Sequence, residues 1–280
     1  MAAFGDLSLP YQNDPRILMK FISSYVNLGY ETIAIDRIHT PDVKSKRDGD
    51  RIPPPSDLTK LPGLEDLKKL CPRLKLLSRI TIVVQDQSNI RYVVGDVVQS
   101  YDIVAVRPMN EKLFQQICQT VEADVVSLDM TSRLPFYIKH PQVKLAIERG
   151  MSFEIAYSPA IRDDFLRKNV IANALELVRV CKGKNVVVSS GAESVMELRG
   201  PYDLVNLGLL FGLKQDQSKA SISKNIRSVI YHAEARNRTA KGVFGLEKIT
   251  PSLAGVKRGH KNGDDESLGQ GITPQKRTKV

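Results

Sequence analysis

The sequence predicts an α/β protein with a parallel sheet, either doubly wound or closed into a (β/α) barrel. Three observations carry that expectation. Short runs of β-branched residues recur along the chain, and segments with helical spacing alternate with them. Roughly six to eight such units would fit before the C-terminal quarter, a number that favours the barrel.

The expected strands are Thr32–Ile38 (TIAIDRI), Ile80–Val84 (ITIVV), Asp102–Val106 (DIVAV), Asp124–Leu128 (DVVSL), Ser152–Tyr157 (SFEIAY) and Asn185–Ser189 (NVVVS). Continuous apolar runs of this kind suit strands covered on both faces. The clearest helix spans 163–181, with Asp163 or Asp164 as its cap and Leu166, Val170, Ala174, Val178 and Cys181 recurring at spacings of three and four. A second runs from Tyr202 to Phe211 and stops at Gly212. In it, the GxxxG spacing of Gly208 and Gly212 is expected to let the helix pack closely on the sheet. Residues 215–236 read as helical, basic and closing the domain. Two stretches break the alternation. Residues 41–63, rich in proline and charge, read as a long surface loop, and beyond Leu246 the apolar periodicity ends in a flexible basic tail. The domain is therefore expected to span 1–245, with the tail at 246–280.

The net charge of +10 is unevenly placed. From Lys214 onward there are 14 Lys and Arg against 6 Asp and Glu, whereas residues 1–213 carry 27 against 25. A basic surplus of this kind favours an anionic partner such as nucleic acid. Cys71, Cys118 and Cys181 form no CxxC pair, which supports neither a disulfide framework nor a zinc knuckle and fits a reducing compartment. The opening MAAFGDLSLP does not read as a signal peptide, and no apolar run reaches bilayer length, so a soluble intracellular protein is expected.

Catalytic templates are missing. The chain has no GxSxG, GxxxxGK[ST] or post-strand GxGxxG pattern. Its four histidines, His39, His140, His232 and His260, are scattered, and the first segment reads Asp6-Leu7-Ser8 where an HxH pair would begin a phosphoesterase metal site. Asp36, Asp86, Asp129 and Glu193 lie at or just after strands and could in principle hold Mg²⁺, although carboxylates there commonly cap turns. The basic residues suggest more. Arg107, Arg162 and Arg199 each follow a strand, and Lys139 lies in the loop after another; in a barrel these share the C-terminal face. Lys182 and Lys184 precede a strand and would share the opposite face with Arg149 and Arg79. Both sets suit phosphate contact by charge-assisted hydrogen bonds and counterion release. No RNP-type aromatic motif or KH-type loop is present, so RNA would be read by phosphate and shape.

Several long motifs agree in order with one family. FGDLSLP, LSRITIVVQD, YDIVAVRPMNEKLFQQIC, LPFYIKHPQVKLAIERG, YSPAIRDD, VCKGKNVVVSSGAE and RGPYDLVNLGLLFGL resemble the thirty-kilodalton protein subunits of nuclear ribonuclease P and ribonuclease MRP, over about residues 1–245. The resemblance implies a distorted TIM-like barrel related to metal-dependent phosphoesterases. It implies a non-catalytic subunit in a particle whose RNA, with Mg²⁺, removes the 5′ leader of precursor tRNA; the chain itself would bind no cofactor. Implied partners are the ribonuclease P and MRP RNAs, precursor tRNA indirectly, a small RRM-like subunit and other ribonuclease P proteins, in the nucleus and nucleolus, with no membrane. VKRGHK and PQKRTKV could serve nuclear import. The rival expectation is an Mg-dependent phosphoesterase or nuclease acting through the strand-end carboxylates.

Overall fold

The computed structural model describes residues 3–41 and 52–238. Seven parallel strands pair in sequence order: β1 (Gly5–Pro10), β2 (Thr32–His39), β3 (Lys75–Val84), β4 (Ile103–Pro108), β5 (Val125–Ser127), β6 (Ser152–Ala156) and β7 (Val186–Ser189). Helices fill the connections: α1 (Pro15–Leu28), α2 (Leu64–Leu70), α3 (Ile90–Val93), α4 (Asp96–Gln99), α5 (Glu111–Thr120), α6 (His140–Glu148), α7 (Ser158–Arg162), α8 (Asp164–Cys181) and α9 (Pro201–Leu210). Then come α10 (Gln215–Ser221) and α11 (Lys224–Arg238). The result is a nearly closed TIM-like barrel.

β1 and β7 form no ladder, so closure is made by a few separate side-chain and backbone bonds. A register shift between Asp6 and Leu9 bulges β1. The Asp6 carboxylate accepts from the backbone N–H of Ser8 at 2.9 Å and from that of Ser190 at 2.8 Å, while Gly191 N–H donates to the Ser8 carbonyl at 2.9 Å. Each bond satisfies an edge group that would otherwise be buried unpaired. Burial pushes the Asp6 carboxyl up to about 6.

β1 lies outside the six expected strands: GDLSLP mixes polar and apolar residues and lacks a β-branched run. β3 begins five residues earlier than expected, since Ser78 and Arg79 interrupt the apolar pattern that marks its second half. The helical expectations over 163–181 and 202–211 agree with α8 and α9, and it is Asp163 that caps α8, accepting from Phe165 N–H at 2.6 Å. Residues 215–236 form two helices, α10 and α11, turning at the buried Ile222. Of the expected loop at 41–63, residues 42–51 lie outside the described residues, as does the tail at 246–280; the rest of the loop holds a 3₁₀ turn at Leu58–Lys60.

The core has two parts. The larger lies between the outer faces of the strands and the surrounding helices, with Ile82, Val104, Val126, Phe153 and Val188 packed against Phe21, Phe114, Ala174 and Leu177. The smaller fills the N-terminal half of the barrel. There Leu7, Ala34, Leu77, Ala105, Val125 and Val187 meet Ile226, Val229 and Ile230 of α11, so this helix plugs the barrel floor. Each of those α11 side chains contributes about 1.5–3 kcal/mol by burial.

Gly208 does not serve the packing on the sheet expected for it. It faces α10: a Cβ there would overlap Ser218 Oγ and lie 2.9 Å from Ser218 Cβ. Gly212 ends α9 with φ +85°, a conformation that side chains disfavour. Replacing Gly208 by alanine is expected to cost about 1–3 kcal/mol through overpacking, read as a lower urea midpoint at unchanged slope.

Candidate functional site

In β3, Leu77 faces the floor, Arg79 lies two residues further on, and Thr81 two beyond that. The same step of two carries Ala34 to Asp36 in β2, Ala105 to Arg107 in β4, Val125 to Ser127 in β5 and Val187 to Ser189 in β7. Side chains two apart share a face. The floor of the barrel is thus apolar and its upper interior polar, and Glu154 of β6 completes the upper layer.

Arg79 sits at the centre of that layer and is fully buried. Its guanidinium forks onto Glu154, with Nη2 at 2.6 Å from Oε2 and Nη1 on Oε1, and Nη1 also donates to the Leu7 carbonyl at 2.7 Å. Nε lies 3.4 Å from Asp36 Oδ1, and Thr81 Oγ1 donates to that oxygen at 2.7 Å. Ser189 Oγ donates to Glu154 Oε1 at 2.6 Å. The two carboxylates therefore fare differently. Burial drives both upward; for Glu154 the Arg79 charge and the hydrogen bonds from Arg79 and Ser189 outweigh it and hold the group at about 2. Asp36 meets only the edge of the guanidinium, and with the Thr81 hydrogen bond this does not offset burial, so its carboxyl stays above the ordinary range.

This layer does not fit a divalent ion. The Asp36 and Glu154 oxygens that would ligate one are already directed at a guanidinium between them. No group of three or more His, Cys, Asp or Glu side chains suited to a metal occurs among the described residues. Nor do the strand-end carboxylates converge. Asp86 forms a capping box with Asn89, Asp129 accepts from Thr131 N–H at 3.0 Å and Thr131 Oγ1 at 2.6 Å, and Glu193 pairs with Arg162 at 2.7 Å.

The expected basic residues divide between the two ends of the barrel. Arg107, Lys139, Arg162 and Arg199 all lie in or beside strand-to-helix connections at the C-terminal end. They are occupied to different degrees. Arg107 leans into the barrel mouth, 3.4 Å from Ser127 Oγ. Lys139 pairs with Glu111 at 2.6 Å, and Arg199 donates to the carbonyls of Met196 and Leu198 at 2.9 and 2.8 Å. Arg162 is held by two carboxylates, Glu193 at 2.7 Å and Glu197 at 2.9 Å. Lys182 and Lys184 lie at the other end, between α8 and β7, exposed and with no carboxylate partner among the described residues. Lys182 adopts φ +54° as the C-cap of α8. Arg149 is also at that end, donating to the carbonyls of Ile117, Cys118 and Val121.

Arg79 does not join them. A β-strand alternates its faces, and this position turns the charge into the barrel. The sequence reading also passed over Glu154, whose signal was an acid inside an otherwise apolar strand, and Asp124. The latter is fully buried at the start of β5, where it accepts from Val104 N–H at 2.8 Å, His232 Nδ1 at 2.7 Å and Arg236 Nη2 at 3.1 Å. It fastens α11 to the floor.

A family model, RNase P subunit p30, matches residues 3–238. The chain belongs to the RNase P subunit p30 family. The matched span ends at the last residue of α11, so it coincides with the barrel. Among curated relatives, Ribonuclease P protein subunit p30 of Mus musculus is 44% identical over 273 residues, covering 96% of each chain. Ribonuclease P/MRP protein subunit RPP1 of Saccharomyces cerevisiae is 29% identical over 224 residues, covering 80% of this chain and 75% of the relative. Among solved structures, a chain in the cryo-EM structure of archaeal Ribonuclease P with mature tRNA is similar with a TM-score of 0.61 at 16% identity. The match covers 89% of this chain and 100% of that one, and it shows that the fold is shared.

Proposed function

We propose that this p30-family chain is a non-catalytic protein subunit of ribonuclease P, and of ribonuclease MRP, supporting removal of the 5′ leader from precursor tRNA and rRNA processing by binding RNA and holding other subunits. The observation that carries the reading is the similarity to a ribonuclease P subunit along 96% of both chains. The barrel interior supports it: a position where a hydrolase would gather metal ligands is filled by the Arg79–Glu154 pair. Catalysis is assigned to the particle's RNA with its Mg²⁺. The partners are that RNA, the MRP RNA, precursor tRNA indirectly, a small RRM-like subunit and other proteins of the particle, in the nucleus and nucleolus.

The deciding experiment is precursor-tRNA cleavage by complexes purified on the tagged chain, before and after nuclease removal of their RNA. Activity lost with the RNA supports a ribonucleoprotein subunit. Activity that survives in the RNA-free protein would assign catalysis to the chain or a bound protein. Phosphate contacts are assigned to Arg107, Lys139, Arg162, Lys182, Lys184 and Arg199. Reversing the charge of Lys182 and Lys184, which no carboxylate offsets, is expected to weaken RNA binding and flatten its logarithmic salt dependence by about 0.7–0.9 for each phosphate no longer neutralised. Reversal of Arg162, whose charge Glu193 and Glu197 already offset, is expected to have the smaller effect.

A further inference from the structure

The segment after β5, LPFYIK, lies against the outer face of α8, and two hollows open there. The first, about 530 Å³, is bounded by the 133–138 segment and by Asn173, Glu176 and Arg179 of α8. The second, about 620 Å³, lies between the C-terminal half of α8 and the start of α10. Glu176 and Arg179 border both, so the two hollows adjoin and make a groove that crosses the exposed side of the helix from one flank to the other.

Its chemistry is one-sided. Arg133, Arg179, Lys182 and Lys214 line it, against a single acid, Glu176, which Arg179 already holds through two hydrogen bonds of 2.7 and 3.0 Å. At one end Tyr137 presents its ring to solvent, 76% exposed, beside the buried Phe136. The segment carrying it is fixed in place. Asn169 donates to the Thr131 carbonyl at 2.9 Å, and Asn173 to those of Met130 and Ser132 at 3.1 and 2.7 Å. An aromatic face on an anchored segment, followed by a line of cations with one acid among them, matches the chemistry of an unpaired polynucleotide: bases have faces to stack, and phosphates recur along the strand. A duplex offers no free base face. A protein surface would need an acidic complement to these cations and would leave the exposed ring of Tyr137 without a stacking partner.

We infer that this groove binds single-stranded RNA, with one base stacked on Tyr137 and the following phosphates on Arg133, Arg179, Lys182 and Lys214. This rests on the RNA-binding role proposed above and places an unpaired segment of that RNA on α8. Among these residues only Lys182 coincides with the basic set read from the sequence; Tyr137 escaped that reading because a lone tyrosine has no local pattern.

The test uses the full chain and a short fluorescein-labelled oligouridylate, with RNA duplex of equal length as the control. Tyr137→Ala is expected to weaken oligouridylate binding roughly five- to one-hundred-fold, while Tyr137→Phe stays near wild type because the ring remains. Arg179→Glu/Lys182→Glu/Lys214→Glu is expected to weaken it further and reduce the salt slope by about 0.7 for each phosphate left without its cation. All four side chains are on the surface, and unchanged thermal melts confirm that the variants fold. Unchanged affinity in both the Tyr137→Ala and triple variants overturns the groove, as does a wild-type chain that prefers the duplex. Variants that bind oligouridylate normally but lose co-purifying proteins overturn it in favour of a protein interface. If tagged wild-type complexes still recover ribonuclease P RNA in any of these cases, the subunit reading stands without the groove; if they recover none, both fall.

Discussion

Replacing Arg79 by methionine is expected to destabilise the barrel by about 3–5 kcal/mol, the largest effect of any single substitution in the interior. The size follows from what remains. Glu154 and Asp36, both almost fully buried, would keep their carboxylates without the guanidinium that neutralises them. Glu154 would rise from about 2, as burial, now unopposed by the Arg79 charge, drives the carboxyl up. Arg79→Lys is expected to lose less, because it keeps the charge and loses only the fork on Glu154. Arg79→Met combined with Glu154→Gln is expected to recover part of the loss, since the larger uncompensated charge is gone. Denaturant unfolding of the four proteins at neutral pH checks this. A loss below about 1 kcal/mol in Arg79→Met would show that the pair contributes little beyond filling space.

The second large effect is expected at Asp124. Asp124→Asn leaves Arg236, 5% exposed, without its carboxylate, at a cost of about 3 kcal/mol. The lower end of the range for broken buried pairs applies, because Arg236 keeps the carbonyls of Gln99 and Tyr101. The substitution should also remove a pH dependence. The hydrogen bond to Asp124 is the main cause that raises the His232 pKa above its ordinary value. A raised histidine contributes stability that is fully present below the unfolded value of about 6.5 and is lost as pH climbs through the folded value. Wild-type stability should thus decline from mildly acidic to mildly alkaline pH, and the decline should flatten in Asp124→Asn. Urea midpoints across that interval decide it: equal slopes in the two proteins would detach His232 from the effect.

Much of the barrel was legible in the residues. Strands such as Val186–Ser189 and Ile103–Pro108 carry β-branched runs because both of their faces are buried, and α8 carries its stripe because only one of its faces is. β1 was not legible, since its role is to clasp β7 through Asp6, and a clasp needs polar atoms where a strand signal needs apolar ones. Except for Arg79, which lies inside the barrel, the basic residues were placed at the correct ends by counting strands and helices. How far each charge is available was not, because the glutamates on Arg162 come from the turn after another strand, and the carbonyls on Arg199 belong to its own turn, whose backbone path no periodicity marks.

By itself the sequence determined the alternation of strand and helix, the excess of positive charge and the membership in the p30 family, because these reside in local periodicity, composition and extended motif agreement. Only the tertiary structure decided that Arg79 points inward onto Glu154, that Asp124 fastens α11 beneath the barrel, and that Tyr137 and Arg179 border one groove. The physical reason is the same in each case. These are contacts between residues dozens of positions apart, and which face of a strand or helix a charge occupies is settled only when the elements close on one another.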